Sequence, residues 1–176
     1  MLTTGHCATS NERVYQGYCD SGGCHTTGSM GIATRISYGN YVADAEFLDS
    51  SDVGSSLEPD VYTYPYAGQP VYYIGSSFVG MAVCIDGSYT GQNCSGVVLG
   101  TEQCEFTGQY TVCHLTEASS NNNTRMCQPG DSGGPVYTAG LTAYGLEESG
   151  SQSGTVCFYT ELYDALAALN VAMVFA

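Results

Sequence analysis

One hexapeptide of the sequence has the residue types that nucleophilic catalysis by a serine requires, namely Gly130-Asp131-Ser132-Gly133-Gly134-Pro135. A serine hydroxyl becomes a useful nucleophile when a base removes its proton and fixed donors hold the developing oxyanion. Glycine at 130 lets the backbone turn so that the amides of Gly130 and Ser132 can point at one oxyanion. Gly133 and Gly134 let the chain leave without side chains that would block a substrate. An ordinary glycine–serine turn explains Ser-Gly-Gly but not the whole hexapeptide, which predicts a nucleophile at Ser132.

A second segment, Thr3-Thr4-Gly5-His6-Cys7, lies well before this hexapeptide. Together the two segments resemble the chymotrypsin-like serine proteases, and the branch to which they are most similar is the bacterial, streptogrisin-like one. The stretches Val83 to Gly91 and Cys127 to Ser132 are also similar to that branch. The resemblance implies that His6 is the general base, which takes the Ser132 proton and later protonates the leaving amine. It also implies an oxyanion hole made by the two amides named above.

The resemblance further implies a catalytic acid some tens of residues after the histidine. Asp44 fits, because it lies between small and apolar residues where a buried carboxylate can accept the imidazole N–H. Asp49 and Asp52 are close in sequence, but they belong to a polar, serine-rich run that is typical of solvated surface. The order His, Asp, Ser agrees with the family and disagrees with the order in α/β-hydrolases. We therefore expect a triad of His6, Asp44 and Ser132.

Two positions depart from the family's pattern. Bacterial members usually have a basic residue that pairs with the acid before the nucleophile, but this chain has Ile85 there. Asp131 therefore needs an arginine or backbone donors as its partner. Near the triad acid the family usually places a serine, whereas Gly145-Leu146-Glu147-Glu148-Ser149-Gly150 puts Glu148 at that point. A second carboxylate beside Asp44 would raise one of the two pKa values.

The resemblance implies a substrate pocket built around Arg125-Met126 and the strand Glu148-Ser149-Gly150. An arginine at the pocket floor would favour acidic substrate side chains. Glu147 or Glu148 at the rim would instead favour basic ones. The sequence leaves this choice open.

Nine cysteines in 176 residues indicate an oxidising compartment. Metal binding is the competing explanation, and it is disfavoured because no Cys-x-x-Cys occurs and His25 has no second ligand cluster nearby. Four disulfides are expected, two from the resemblance and two from proximity in sequence alone: Cys84–Cys94 and Cys127–Cys157, then Cys19–Cys24 and Cys104–Cys113. Family members carry further strands and a cysteine ahead of the histidine, so we expect Cys7 to lack its partner and the chain to begin late.

The charge balance excludes several partner classes. The formal net charge is −14, with no lysine and three arginines, so nucleic-acid phosphates and anionic lipid head groups are repelled. No run approaches the roughly 20 apolar residues of a membrane span. We expect a secreted, extracellular monomer that acts on proteins or peptides without nucleic acid, membrane, metal or cofactor. The acidic run from Asp49 to Asp60 could bind calcium, although no ligand spacing demands it.

The elements that must position these residues are mostly strands. Short β-type runs separated by Gly, Ser, Asn and Asp predict an all-β sandwich or barrel. The segment from Thr160 to Val171 is different, because it has apolar residues at helical spacing and Thr160 as a possible cap. The resemblance implies two packed antiparallel β-barrels of the trypsin-like type. The first, incomplete, spans residues 1–66 with His6 and Asp44, and the second spans residues 67–176 with Ser132 and ends in the helix.

The expected function is that of a serine endopeptidase, which hydrolyses peptide bonds through an acyl-enzyme intermediate. The main alternative is an inactive protease-fold homologue, or a truncated fragment, that acts as a binding protein. A disulfide-rich adhesive or structural protein would explain the Cys, Tyr and Gly content, but not the coincidence of both catalytic motifs.

Overall fold

Strands make up most of the computed structural model, which describes residues 1–20, 22–38, 43–53, 60–63, 66–106 and 110–176. The strands in these ranges are β1 (Leu2–Thr3), β2 (Arg13–Asp20), β3 (Gly23–Ser37), β4 (Ala45–Asp49), β5 (Asp60–Thr63), β6 (Tyr66–Pro70), β7 (Tyr73–Ile74), β8 (Ala82–Gly87), β9 (Gly91–Phe106), β10 (Thr111–Ser120), β11 (Pro135–Tyr137), β12 (Thr142–Gly150) and β13 (Val156–Glu161). A 3-10 turn at Gly5–Cys7 follows β1, and helix α1 (Leu162–Leu169) follows β13.

Six strands of the C-terminal half close into a barrel. In the order β11, β8, β9, β10, β13 and β12 they are antiparallel neighbours, and β11 pairs with β12 to complete the circle. Successive side chains of a strand point to opposite faces, so Val83 and Ile85 of β8 share the inner face. They pack there with Val98, Val136 and Tyr159 in one buried cluster. Closure pairs both edges of the sheet, which gives the residues beside it a rigid support.

The N-terminal half is an open sheet in the described residues. Its four strands lie in the order β1, β4, β3, β2, while β5 and β6 form a separate two-stranded ribbon. The all-β class, a closed C-terminal barrel and a C-terminal helix are thus confirmed. The division of the chain after residue 66 stays a prediction.

Helix α1 buries the apolar side predicted from its spacing, with Leu162, Ala165, Leu166 and Leu169 all inside. The prediction for its cap was wrong. Glu161 is the N-cap residue, and Thr160 still belongs to β13. The Thr160 hydroxyl oxygen instead accepts a hydrogen bond from the Asp44 amide at 3.2 Å, so a tertiary contact uses the side chain that the local pattern had assigned to the helix.

One apolar cluster connects the open sheet, the barrel and the helix. Ala45 of β4 packs there with Leu146 of β12 and with Ala165 and Leu169 of α1. The residues next to Ala45 and Leu146 in the sequence are Asp44 and Glu147. The cluster therefore holds the start of β4 against the middle of β12, where acidic side chains from both halves meet.

Three of the four expected disulfides are formed: Cys84–Cys94, Cys104–Cys113 and Cys127–Cys157. The third joins the chain just before the Ser132 turn to β13. Cys19 and Cys24 are opposite each other in the pairing of β2 with β3. Their side chains lie outside the described part of the structure, so this fourth disulfide stays a prediction. Cys7 is a free thiol, as expected.

No helix within the described ranges has the length and apolar character needed to cross a bilayer.

Candidate active site

His6 and Asp44 form the core of the site. His6 lies on the turn that follows β1, Asp44 directly precedes β4, and β1 pairs with β4. The pairing brings the two side chains together, with 2.5 Å between His6 Nδ1 and Asp44 Oδ2. The His6 backbone amide also donates to Asp44 Oδ1, at 3.0 Å. Because Asp44 is fully buried and accepts both bonds, it fixes the ring's orientation and keeps the Nδ1 proton, which leaves Nε2 as the basic nitrogen.

The electrostatic surroundings make His6 a stronger base than a free imidazole. Burial lowers the pKa of His6, but the hydrogen bond and negative charge of Asp44 outweigh that effect. The carboxyl groups of Glu148 and Glu46 raise the pKa further. The net result is a raised pKa, so the neutral form that can accept a proton appears at higher pH than in an isolated histidine.

The Ser132 turn depends on glycine at two positions. Gly130 has a φ of +99°, and a Cβ added there would lie 2.5 Å from the Tyr89 ring. Gly133 has a φ of +86°, and a Cβ there would lie 1.9 Å from Thr3 Oγ1. Both values of φ are in the left-handed region that L side chains avoid. The second contact shows that the turn packs directly on β1, the strand that leads into His6.

The Ser132 side chain lies at this junction between the two halves. Its hydroxyl donates to the Glu148 carbonyl at 3.1 Å, and Cys7 Sγ is 3.9 Å from the Ser132 carbonyl oxygen. The nucleophile and base segments predicted from the sequence are thus in contact. Within the described part of the chain, the Gly130 and Ser132 amides donate to no protein acceptor, as an oxyanion hole requires.

Backbone and hydroxyl donors, rather than an arginine, satisfy Asp131. This buried carboxylate accepts hydrogen bonds from the amides of Tyr89, Thr90 and Gln128, at 2.7, 3.0 and 2.9 Å. The Thr90 hydroxyl donates a fourth bond, at 2.5 Å. Of the two partner types that the sequence left open, the structure has the backbone donors. These bonds tie the residue before Ser132 to the β8–β9 connection.

Three further carboxyl groups are buried around the triad residues. Burial raises the pKa of Glu46 to about 7, with the charge of Asp44 as the next cause. Burial also raises the pKa of Glu148 to about 7, and Asp44 adds to that rise. Burial raises the pKa of Glu147 to about 9, helped by Asp131 and Glu148. The predicted effect of a second carboxylate beside Asp44 is confirmed at Glu148.

The polar atoms of His6, Asp44 and Glu148 lie within 4.8 Å of one another. Among the described residues this is the one group of three such side chains at that spacing. At this spacing the charges of Asp44 and Glu148 act directly on the imidazole.

A cavity of about 230 Å³ opens beside Ser132. The residues that line it are Gln128, Pro129, Ser132, Glu147, Glu148, Ser149, Gly150 and Ser151. Glu148, Ser149 and Gly150 were predicted as pocket residues from the resemblance. The other five are the residues on either side of that strand segment, Glu147 and Ser151, the two residues Gln128 and Pro129 of the turn before the nucleophile, and Ser132 itself.

Arg125 and Met126, also predicted as pocket residues, do not line this cavity. Arg125 is exposed, and its Nη1 donates to Gln128 Oε1 at 2.8 Å. Met126 is fully buried in the barrel cluster. Gln128 and Pro129 of the same segment line the cavity instead.

Two tyrosines near His6 were not predicted. The Tyr38 ring lies 5.8 Å from the His6 ring, and the Tyr110 ring lies 5.1 Å from Tyr38 in an edge-on arrangement. Tyr38 follows β3 and Tyr110 precedes β10, so their approach depends on how the two halves dock. Nothing local in the sequence signals it.

Comparison with known proteins agrees with this geometry. The chain matches no family model. It is 30% identical to streptogrisin-A of Streptomyces griseus over 176 residues, which covers 98% of this chain and 51% of the relative. A Cellulomonas bogoriensis chymotrypsin structure superposes with a TM-score of 0.77 at 25% identity, covering 99% of this chain and 85% of that one. A Nocardiopsis protease structure gives 0.73 at 28% identity, covering 96% and 81%.

Over nearly its whole length the chain is similar to bacterial chymotrypsin-like serine proteases. It spans about half the length of the curated relative it matches. In this chain the closed barrel carries the serine turn and the cavity, while the open sheet carries the histidine and its acid.

Proposed function

We propose that this chain is a serine endopeptidase that cleaves peptide bonds in proteins and peptides through an acyl-enzyme at Ser132. The observation that carries the proposal is the 2.5 Å contact between buried Asp44 and His6, which follows β1, the strand against which the Ser132 turn packs. A carboxylate that orients an imidazole, next to a hydroxyl, is the arrangement that activates a serine.

The proposed reaction assigns one role to each group. His6 Nε2 accepts the Ser132 proton as Oγ attacks the substrate carbonyl, and Asp44 stabilises the resulting imidazolium. The amides of Gly130 and Ser132 donate to the oxyanion. His6 then protonates the leaving amine, and a water molecule, activated by the same nitrogen, releases the acyl group.

We also propose that the protein is secreted and acts as a monomer. Three disulfides support an oxidising compartment. The net charge of −14 makes nucleic acid and anionic membranes unfavourable partners.

A fluorophosphonate probe tests the proposal, because it modifies only a serine whose hydroxyl is activated. We expect the wild-type chain to be labelled, Ser132→Ala not to be labelled, and Ser153→Ala, a control at an exposed serine, to be labelled as the wild type is. Equal labelling of the wild type and Ser132→Ala would contradict the proposal.

One observation favours a second candidate, an inactive homologue that binds peptides. The Ser132 hydroxyl donates to the Glu148 carbonyl, and this bond competes with donation to His6. A rotation of the hydroxyl hydrogen or of χ1 would release it, and catalytic hydrogen bonds often form only when substrate is bound. Absence of labelling in a folded wild-type chain would select this candidate.

A further inference from the structure

The cavity beside Ser132 is placed to receive a substrate side chain. Ser132 forms part of its wall together with Glu148, whose carbonyl accepts from the Ser132 hydroxyl. If Ser132 attacks a peptide carbonyl, as the proposed function requires, the side chain next to that carbonyl has this space beside it. The inference below rests on that proposed function and concerns which side chain the cavity takes.

A buried carboxyl group in the cavity wall lacks a partner. Glu147 lines the cavity and is only 1% exposed. Its Oε2 has no hydrogen-bond partner among the described residues. A buried acceptor without a donor is costly, unless a ligand supplies the donor. The pKa of Glu147 is raised, first by burial and then by the charges of Asp131 and Glu148. The charged form of Glu147 therefore lacks a stabilising partner in the free protein.

The residues around Glu147 add further carboxyl groups to the cavity wall and no positive charge. Glu148 lies next to Glu147 in the wall, and the Ser149 hydroxyl, also in the wall, donates to Glu105. No residue that lines the cavity carries a positive charge. Both the unpartnered acceptor and the local field therefore favour a cationic donor.

The protein keeps His6 hydrogen-bonded to Asp44 and, in its described part, places no cationic side chain in the wall of this cavity. It contains no lysine, and each of its three arginines is engaged elsewhere. Arg13 bonds to Asp52, Arg35 donates to the Leu169 and Asn170 carbonyls at the end of α1, and Arg125 donates to Gln128 on the surface. A positive charge in the cavity has to come from the substrate.

We propose that this cavity binds the cationic side chain of an arginine or lysine on the acyl side of the scissile bond, and that Glu147 is the specificity-determining residue. At neutral pH free Glu147 holds a proton, because its pKa is raised to about 9, and binding of the cation releases that proton to solvent. The guanidinium or ammonium group then donates to the Glu147 carboxylate, which thereby gains the partner it lacks. A neutral side chain of the same shape leaves that acceptor unsatisfied, so the cavity discriminates by charge as well as by size.

Matched peptide substrates test this proposal. We compare peptides that differ only at the residue before the scissile bond, using arginine against citrulline and lysine against norleucine. A charge-assisted hydrogen bond predicts kcat/KM values about 10- to 100-fold higher for the cationic member of each pair. Glu147→Gln is expected to bring these ratios close to one. Glu102→Gln, at an exposed carboxyl bonded to His114, removes the same charge and should keep the wild-type ratios.

A binding experiment separates failure of this inference from failure of the proposed function. In Ser132→Ala, calorimetry should show benzamidine binding at least tenfold more tightly than its neutral analogue benzamide, with the difference lost on adding Glu147→Gln. Labelling and hydrolysis that favour phenylalanine, norleucine or glutamate substrates would overturn the inference and leave the protease assignment intact. Equal binding of benzamidine and benzamide would also overturn it, even in a chain without activity.

Discussion

Replacing Glu148 by glutamine should lower the pKa of His6 and move the acidic limb of the pH–rate profile to lower pH. The polar atoms of Glu148 and His6 are within 4.8 Å of each other, and the charge of Glu148 is one cause of the raised pKa of His6. At that distance a unit charge contributes about 0.9 kcal/mol in water and about 3.5 kcal/mol at an effective dielectric constant of 20. These energies correspond to roughly 0.6 to 2.5 pKa units.

The expected shift is near the lower end of that range, because Glu148 is itself only partly ionised where His6 titrates. Its pKa is raised to about 7, so the pH ranges in which Glu148 and His6 titrate overlap. We expect the midpoint of the acidic limb to fall by roughly 0.5 to 1 pH unit. The direction follows from charge, since removing a nearby anion destabilises the imidazolium and lets neutral His6 form at lower pH.

The assay is kcat/KM against pH for the wild type, Glu148→Gln and the surface control Glu102→Gln, all at the same ionic strength. The imidazole resonances of His6 give the same pKa by NMR and do not require turnover. A midpoint that stays in place or rises in Glu148→Gln would refute the reasoning. So would an equal fall in the control, since that would reflect net charge rather than this contact.

Two further predictions concern the neighbouring carboxyl groups. Because the pKa of Glu147 is raised to about 9 in the folded protein, its contribution is fully present below pH 4.5 and is lost as the pH rises towards 9. Urea unfolding should show wild-type stability falling across this window, by about 1.4 kcal/mol per pH unit for this group, with a shallower fall in Glu147→Gln; parallel curves for the two proteins would contradict this. Asp44→Asn should lower kcat by roughly 10³- to 10⁴-fold with the fold unchanged by circular dichroism, because His6 then loses the acceptor that sets its tautomer. A loss of less than tenfold would mean that another group orients the ring.

The sequence predicted the local features of the site more fully than the tertiary contacts around it. The Ser132 turn is encoded locally, since Gly130 and Gly133 have the positive φ that glycine adopts readily. Helix α1 is encoded by its own apolar spacing. In both cases the requirement lies within a few neighbouring residues, so the sequence displays it.

Features that depend on docking could not be predicted in the same way. Thr160 has the residue type of a helix cap, but its hydroxyl accepts from the Asp44 amide more than a hundred residues away in sequence. Met126 is buried in the barrel core, and Gln128, two residues later, lines the cavity. The contact of Tyr38, which follows β3, with His6, on the turn after β1, forms only in the assembled sheet. Local patterns carry no information on such contacts.

The central claim is that the Ser132 hydroxyl is activated by the His6–Asp44 pair, and mass-spectrometric mapping of the fluorophosphonate adduct tests it most directly. The account predicts one adduct per chain, on the peptide that contains Ser132, with a labelling rate that increases as His6 loses its proton. An adduct on another serine or on a tyrosine, or a rate at Ser132 unaffected by His6→Ala, would contradict it.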